Sequence, residues 1–151
     1  MSINGVRLVP LWQGRDGRGA VFHMLKATDP HFAGFGEIYF SLVNPGVVKA
    51  WKNHRRITAN YACVHGRVKV VLYDDRPESP TCGAMMNVCL SPEEYALLVI
   101  PPSIWHGFRG LGTPLSILAN CATEANDPAE LDRLDPSSDR IPYRWNAEEP
   151  A

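Results

Sequence analysis

The chain has 151 residues, a hydrophobic fraction of 45% and a net charge of -1 from 15 basic and 16 acidic side chains. That length suits one domain able to bury roughly 68–70% of its unfolded surface. The balanced charge excludes the basic footprint of a nucleic-acid binder. No apolar run approaches the ~20 residues of a membrane helix, and the N-terminus lacks the apolar core of a signal peptide. The four cysteines, Cys63, Cys82, Cys89 and Cys121, form no Cys-x-x-Cys pair. They read as reduced, mostly buried thiols of a cytoplasmic protein.

In chain order the predicted strands are Ala20–Lys26, Glu37–Val43, Val47–Trp51, Thr58–Val64, Arg67–Tyr73, Met85–Leu90, Ala96–Ile100, Trp105–Arg109 and Leu115–Cys121. Turn residues divide them at intervals of roughly ten, the spacing of a sandwich or barrel. In Arg67–Tyr73, Val68, Val70 and Leu72 alternate with Arg67, Lys69 and Tyr73, so one face lies in the core and the other is wetter. His65-Gly66 predicts a tight hairpin. Ser91-Pro92 predicts a capped single helical turn. The segment from Asp127 to Leu134 predicts about two turns of helix. Beyond it, Ile141, Tyr143 and Trp145 are expected to pack back onto the barrel. The chain divides into an N-terminal arm (1–15), a barrel (16–121) and a C-terminal segment (122–151), with no repeat or linker.

Five segments resemble one family. Asp16-Gly-Arg-Gly19 is similar to an Asp-x-Arg-Gly turn. Gly46-Val-Val-Lys-Ala-Trp-Lys52 is similar to a Gly-Val-x-Arg-Gly-x-His strand. The run from Gly66 to Gly83 matches Gly-x-Val-x-x-Val-x-x-Asp-x-Arg-x-x-Ser-Pro-Thr-x-Gly. Ile100-Pro-Pro-Ser-Ile-Trp-His-Gly-Phe108 resembles Ile-Pro-x-Gly-x-x-His-Gly-Phe. Leu134-Asp-Pro136, with Ile141 and Trp145, resembles a closing Asn-Asp-Pro…Ile-x-Trp. In this order they resemble the dTDP-4-dehydrorhamnose 3,5-epimerase group of the cupin superfamily. The resemblance implies an all-β cupin jelly roll with a short C-terminal helical segment, and a homodimer exchanging N-terminal strands. It also implies a cofactor-free, metal-free isomerase in deoxysugar biosynthesis. The implied chemistry is proton removal α to the ketone of a nucleotide-linked 4-keto-6-deoxy-hexose. Two alternatives are a member that kept the pocket but lost turnover, and a cupin isomerase or cyclase of another pathway.

The resemblance assigns roles residue by residue, and this chain departs from several. The base position holds Lys52, and the Asp that pairs with the family's base falls on Asp135. Burial would lower the pKa of Lys52 toward that of a base, whereas a Lys52–Asp135 ion pair would keep the amine charged and make it an anchoring residue. His54, two residues on and on the same strand face, is of the residue type suited to act as a base at neutral pH and occupies the second place of the His-x-His of the related dTDP-sugar 3,4-ketoisomerases. His106 matches a site-lining His. The enolate-stabilising Lys falls on Asn60, whose amide still donates a hydrogen bond. The family's Tyr falls in Thr123-Glu-Ala-Asn126, which has none, leaving Tyr39 or Tyr61 as replacements. Lys49 and Arg18 match diphosphate-binding positions. Trp51, Trp105 and Tyr39 are candidates for stacking the base, or else core aromatics. His54 and His106 alone make a poor metal site.

Overall fold

A computed structural model describes residues 2–146. The end of the expected C-terminal segment, 147–151, lies outside these residues. The strands are β1 (Arg7–Pro10), β2 (Gln13–Asp16), β3 (Gly19–Phe22), β4 (Glu37–Val43), β5 (Val48–His54), β6 (Ala59–His65), β7 (Val68–Tyr73), β8 (Met85–Leu90), β9 (Ala96–Ile100), β10 (Trp105–Gly110), β11 (Ser116–Ala122) and β12 (Leu131–Arg133). They form two five-stranded sheets, ordered β1-β9-β6-β11-β4 and β12-β5-β10-β7-β8, with β2-β3 as a separate hairpin. Every pairing is antiparallel. This is the all-β jelly roll that the motifs imply. Among the described residues no helix is long and apolar enough to cross a membrane.

Period-two alternation builds three apolar layers. Val68, Val70 and Leu72 of β7 meet Tyr61, Cys63, Leu98 and Leu118 between the sheets. The opposite face of the second sheet is also dry: Trp51, Val71 and Trp105 lie beneath Ile141, Tyr143 and Trp145. The face of β7 expected to be wet is therefore covered by the C-terminal tail. On the first sheet, Ala62, Leu97 and Val99 are covered by Leu11, Phe22, Met24 and Leu25. The strand expected to run to Lys26 ends at Phe22 for that reason, because the following residues lie across the sheet instead of joining it.

Other expectations need correction. His65-Gly66 is not a hairpin: β6 and β7 belong to different sheets, and the turn is a corner between them. Gly66 has φ +72°, and a Cβ there would sit 2.6 Å from Ser116 Oγ, so only glycine turns this corner. The segment at Ser91 is a turn closed by a Glu94 N–H bond to Ser91 Oγ, without a helix. Only one 3-10 turn, Pro128–Glu130, forms where two helical turns were expected, and the chain then enters β12. Pairing with β5 satisfies the backbone of this short segment, whereas an isolated helix of that length is marginal. Cys63 and Cys121 are buried, but Cys82 and Cys89 are exposed, and all four are free thiols.

A candidate active site at the open edge of the barrel

The two sheets part where β4 ends one and β12 ends the other. A cavity of about 260 Å³ opens there, lined by Glu37 and Tyr39 of β4, Asn120 of β11, Lys52 and His54 of β5, and Arg133 of β12. A larger, shallower groove of about 530 Å³ runs along the β2–β3 hairpin and carries Arg15 and Arg18. It holds no imidazole.

Lys49 faces the same way as Lys52, three residues on, because of an irregularity. Between β5 and β10 the register steps from His106↔Lys52 to Phe108↔Lys49, so Ala50 and Trp51 oppose Gly107 alone. A two-against-one bulge resets the alternation. It turns Trp51 outward, where it is 1% exposed beneath Tyr143 and Trp145. Trp51 is thus a core aromatic and stacks no ligand. Gly107 makes the bulge possible, because a Cβ there would meet Ala50 Cβ at 2.4 Å.

His54 is fixed by a residue that the sequence reading placed inside a helix. Its Nδ1 donates a hydrogen bond to Glu130 Oε1. Glu130 is 1% exposed. Its other oxygen accepts from three successive backbone N–H groups, those of Arg55, Arg56 and Ile57, at 3.1, 3.1 and 3.3 Å. Burial alone would raise the pKa of this carboxyl, but the bonds from His54 and the backbone bring it below its ordinary value. With Glu130 ionised, Nδ1 carries the ring proton and Nε2 keeps a lone pair. That is the arrangement of an oriented general base. Asp127 accepts from Ala129 N–H and starts the turn. Ion pairs from Arg55 to Asp132 and from Arg56 to Glu124 and Asp127 hold the segment in place. No local pattern marks Glu130, since its partner is 76 residues away.

The remaining candidates divide. His106 lies directly across from Lys52, buried, with its ring stacked 5.8 Å from that of His54. Its Nδ1 donates to the Ile104 carbonyl at 3.1 Å. Burial pushes its pKa down to about 3, so the ring is neutral. On the opposite wall, Tyr39 Oη accepts from Asn120 Nδ2 at 2.9 Å, leaving its own O–H free to donate. Tyr61 is packed against His106 and Phe108 at 2% exposure and is a core residue.

Asn60 flanks Tyr61 on β6, so alternation turns it away from the interior. Its Nδ2 donates to the Cys121 carbonyl, and it is no oxyanion donor. Asp135 makes no ion pair with Lys52. It is exposed and accepts from Ser137 instead. Without that carboxylate, burial and then the charges of Arg133 and Lys49 lower the pKa of Lys52. The ion pair expected to hold Lys52 in its charged form is therefore absent. Lys49 Nζ donates to the Leu42 carbonyl across the gap to β4. Arg18 is exposed on the hairpin, paired with Asp16, and outside the cavity of this chain. Among the described residues no cluster of three His, Cys, Asp or Glu is placed to hold a metal ion.

Residues 1–150 match the family model described as dTDP-4-dehydrorhamnose 3,5-epimerase. The chain is 34% identical to a probable low-salt glycan biosynthesis epimerase, Agl13, of Haloferax volcanii, over 97% of both chains. It is 31% identical to the spore coat polysaccharide biosynthesis protein SpsL of Bacillus subtilis, over 97% of this chain and 98% of that one. Among solved structures it is similar to a dTDP sugar isomerase from Desulfovibrio desulfuricans G20. That likeness has 42% identity and a TM-score of 0.92, over 95% of this chain and 92% of the other.

Proposed function

The chain belongs to the dTDP-4-dehydrorhamnose 3,5-epimerase family, and from that premise we propose that it isomerises a nucleotide-linked 4-keto-6-deoxy-hexose without a cofactor. The observation that carries the proposal is the His54–Glu130 pair at the edge of a polar cavity. His54 Nε2 takes a proton from the carbon beside the ketone. Glu130 holds the tautomer and stabilises the imidazolium that forms. Tyr39 stands on the facing sheet, so a proton it donates reaches the opposite side of the sugar from the one His54 removed. Return on that side inverts the carbon; return from His54 does not.

The nucleotide lies toward Lys49, with Arg18 supplied by the hairpin of a second copy. Support for a homodimer comes from the free edge strand β4, where Ile38, Phe40 and Leu42 are exposed. An apolar unpaired edge calls for a cover. The reaction belongs in the cytoplasm, in line with four cysteines that form no disulfide.

The test is deuterium uptake from D2O into a dTDP-4-keto-6-deoxy-hexose, followed by NMR. His54→Ala should lower the rate by about 10²–10⁴-fold, the usual range for a general base, without loss of folding. A second reading has its own support: Asn60 faces away and Thr123–Asn126 offers no Tyr, as in a member that binds but no longer turns over. Calorimetric binding of dTDP with no exchange on any 4-keto sugar nucleotide would favour it.

A further inference from the structure

Removing a proton beside a ketone drives an electron pair onto the carbonyl oxygen, so the site needs a proton donor or a cation there. His54 supplies only the base, and Asn60 is turned away. Lys52 is the remaining inward amine. Strand alternation puts it on the same face as His54, two residues further along β5. Both side chains line the cavity. Among the described residues Lys52 has no ion pair or hydrogen bond from its side chain.

Its surroundings are mostly basic. Arg133 lies directly across on β12, and His106 directly across on β10. Lys49 closes the other side of the bulge. His54 and, from the facing sheet, Glu37 and Tyr39 complete the titratable groups around the cavity, while Glu130 is already engaged by His54 and three backbone N–H groups. An ammonium placed among cations gives up its proton more readily than a free one, and burial acts in the same direction.

We propose that Lys52 is the acid at the ketone oxygen, a role that rests on the reaction proposed above. As His54 Nε2 takes the proton from the α-carbon, the C–H electron pair becomes the C=C bond of an enol. The π pair of the carbonyl moves to oxygen, which takes a proton from Lys52 Nζ and leaves a neutral amine. When carbon is reprotonated, the enol O–H returns its proton to Nζ and the ketone re-forms. Base and acid thus come from one strand, on the same side of the sugar.

The experiment measures deuterium uptake into a dTDP-4-keto-6-deoxy-hexose across pH, with dTDP affinity measured in parallel by calorimetry. Lys52→Met should lose about 10²-fold or more in exchange with dTDP affinity nearly unchanged. Lys52→Arg should stay low, since a guanidinium keeps the charge but does not release its proton. Lys52→Cys alkylated with 2-bromoethylamine restores an amine of lower pKa. It should recover exchange, with the alkaline limb of the rate moved to lower pH; the unmodified protein treated with the same reagent is the control for Cys82 and Cys89. Full exchange in Lys52→Met or Lys52→Arg overturns the proposal, as does loss of dTDP affinity in step with exchange. Absence of exchange in the unmodified protein removes the parent reaction as well, which distinguishes the two failures.

Discussion

Two buried carboxylates of this barrel, Asp74 and Glu130, are 0% and 1% exposed, yet their partners differ in kind. Asp74, at the end of β7, accepts from Arg76 through both oxygens and from Ser79 and Thr81 hydroxyls. Thr81 and Arg76 in turn bind the backbone of Asn4. Every acceptor site is met by a group that holds its proton at any working pH. Glu130 gives one oxygen to three backbone N–H groups and the other to an imidazole that opens into a cavity. The first network fastens the N-terminal residues to the barrel. The second has one titratable member with access to a ligand, and that asymmetry separates a site from a staple.

The largest effect is expected at Asp74. Asp74→Ala leaves Arg76 without its partner and should cost about 3–5 kcal/mol of stability, read as a shifted urea midpoint. Exchange per folded molecule should not change. A loss of exchange in protein that remains folded would show that the two networks are not separate.

Glu130→Gln tests the other half. The amide oxygen can keep the three backbone N–H groups, which turns the NH2 toward His54 Nδ1. That forces the ring proton onto Nε2 and removes the base. Exchange should fall on the order of 10²-fold or more, with a much smaller change in urea midpoint than for Asp74→Ala.

Acid separates the networks from the ring beside them. His106 titrates near 6.5 when unfolded and at about 3 when folded. Its contribution is therefore complete above pH 6.5 and is lost as pH falls toward 3, at up to about 1.4 kcal/mol per pH unit. Asp74 is different: burial opposes its ionisation, but Arg76, Ser79 and Thr81 hold it well below the usual carboxylate range. Its contribution is present above the unfolded value and is lost only as pH falls below it. Urea midpoints between pH 6.5 and 4 should therefore fall steeply in the native protein and less in His106→Gln. The two should converge in slope only below about pH 3.

The smallest effect belongs to Arg55→Ala. Its ion pair with Asp132 is exposed on both sides, and water screens such pairs strongly. The urea midpoint should barely move, and less still at high salt.

Much of the fold was legible because alternation is local. The bounds of Glu37–Val43, Met85–Leu90 and Ala96–Ile100 coincide with β4, β8 and β9. Apolar aromatics in the tail pointed to the packing of Ile141, Tyr143 and Trp145. The strands β1, β2 and β12 were not legible. β1 is four residues ending in Pro10, and β12 is hidden in a run with helical composition. At the site, residue spacing placed Lys52 and His54 on one face. It gave no sign of Glu130, whose burial depends on a pairing made across 76 residues. Asn60 and Asp135 were assigned by matching positions, and each failed on direction: one side chain turns to Cys121, the other to Ser137. A matched position carries the residue's place in the chain but not its aim.

The bulge on β5 makes the count of residues, and not only their kinds, a determinant of function. Lys49, opposite Phe108, and Lys52, opposite His106, face the same way although they are three residues apart. Deleting Ala50 would set them two apart, so the unbroken pleat would keep Trp51 outward and Lys52 and His54 inward. Deleting Asn53 would instead put Lys52 and His54 on opposite faces. A library of single-residue deletions across residues 47–54 would therefore show a frame with one slack position. Exchange should survive the loss of Ala50 and vanish with the loss of Asn53.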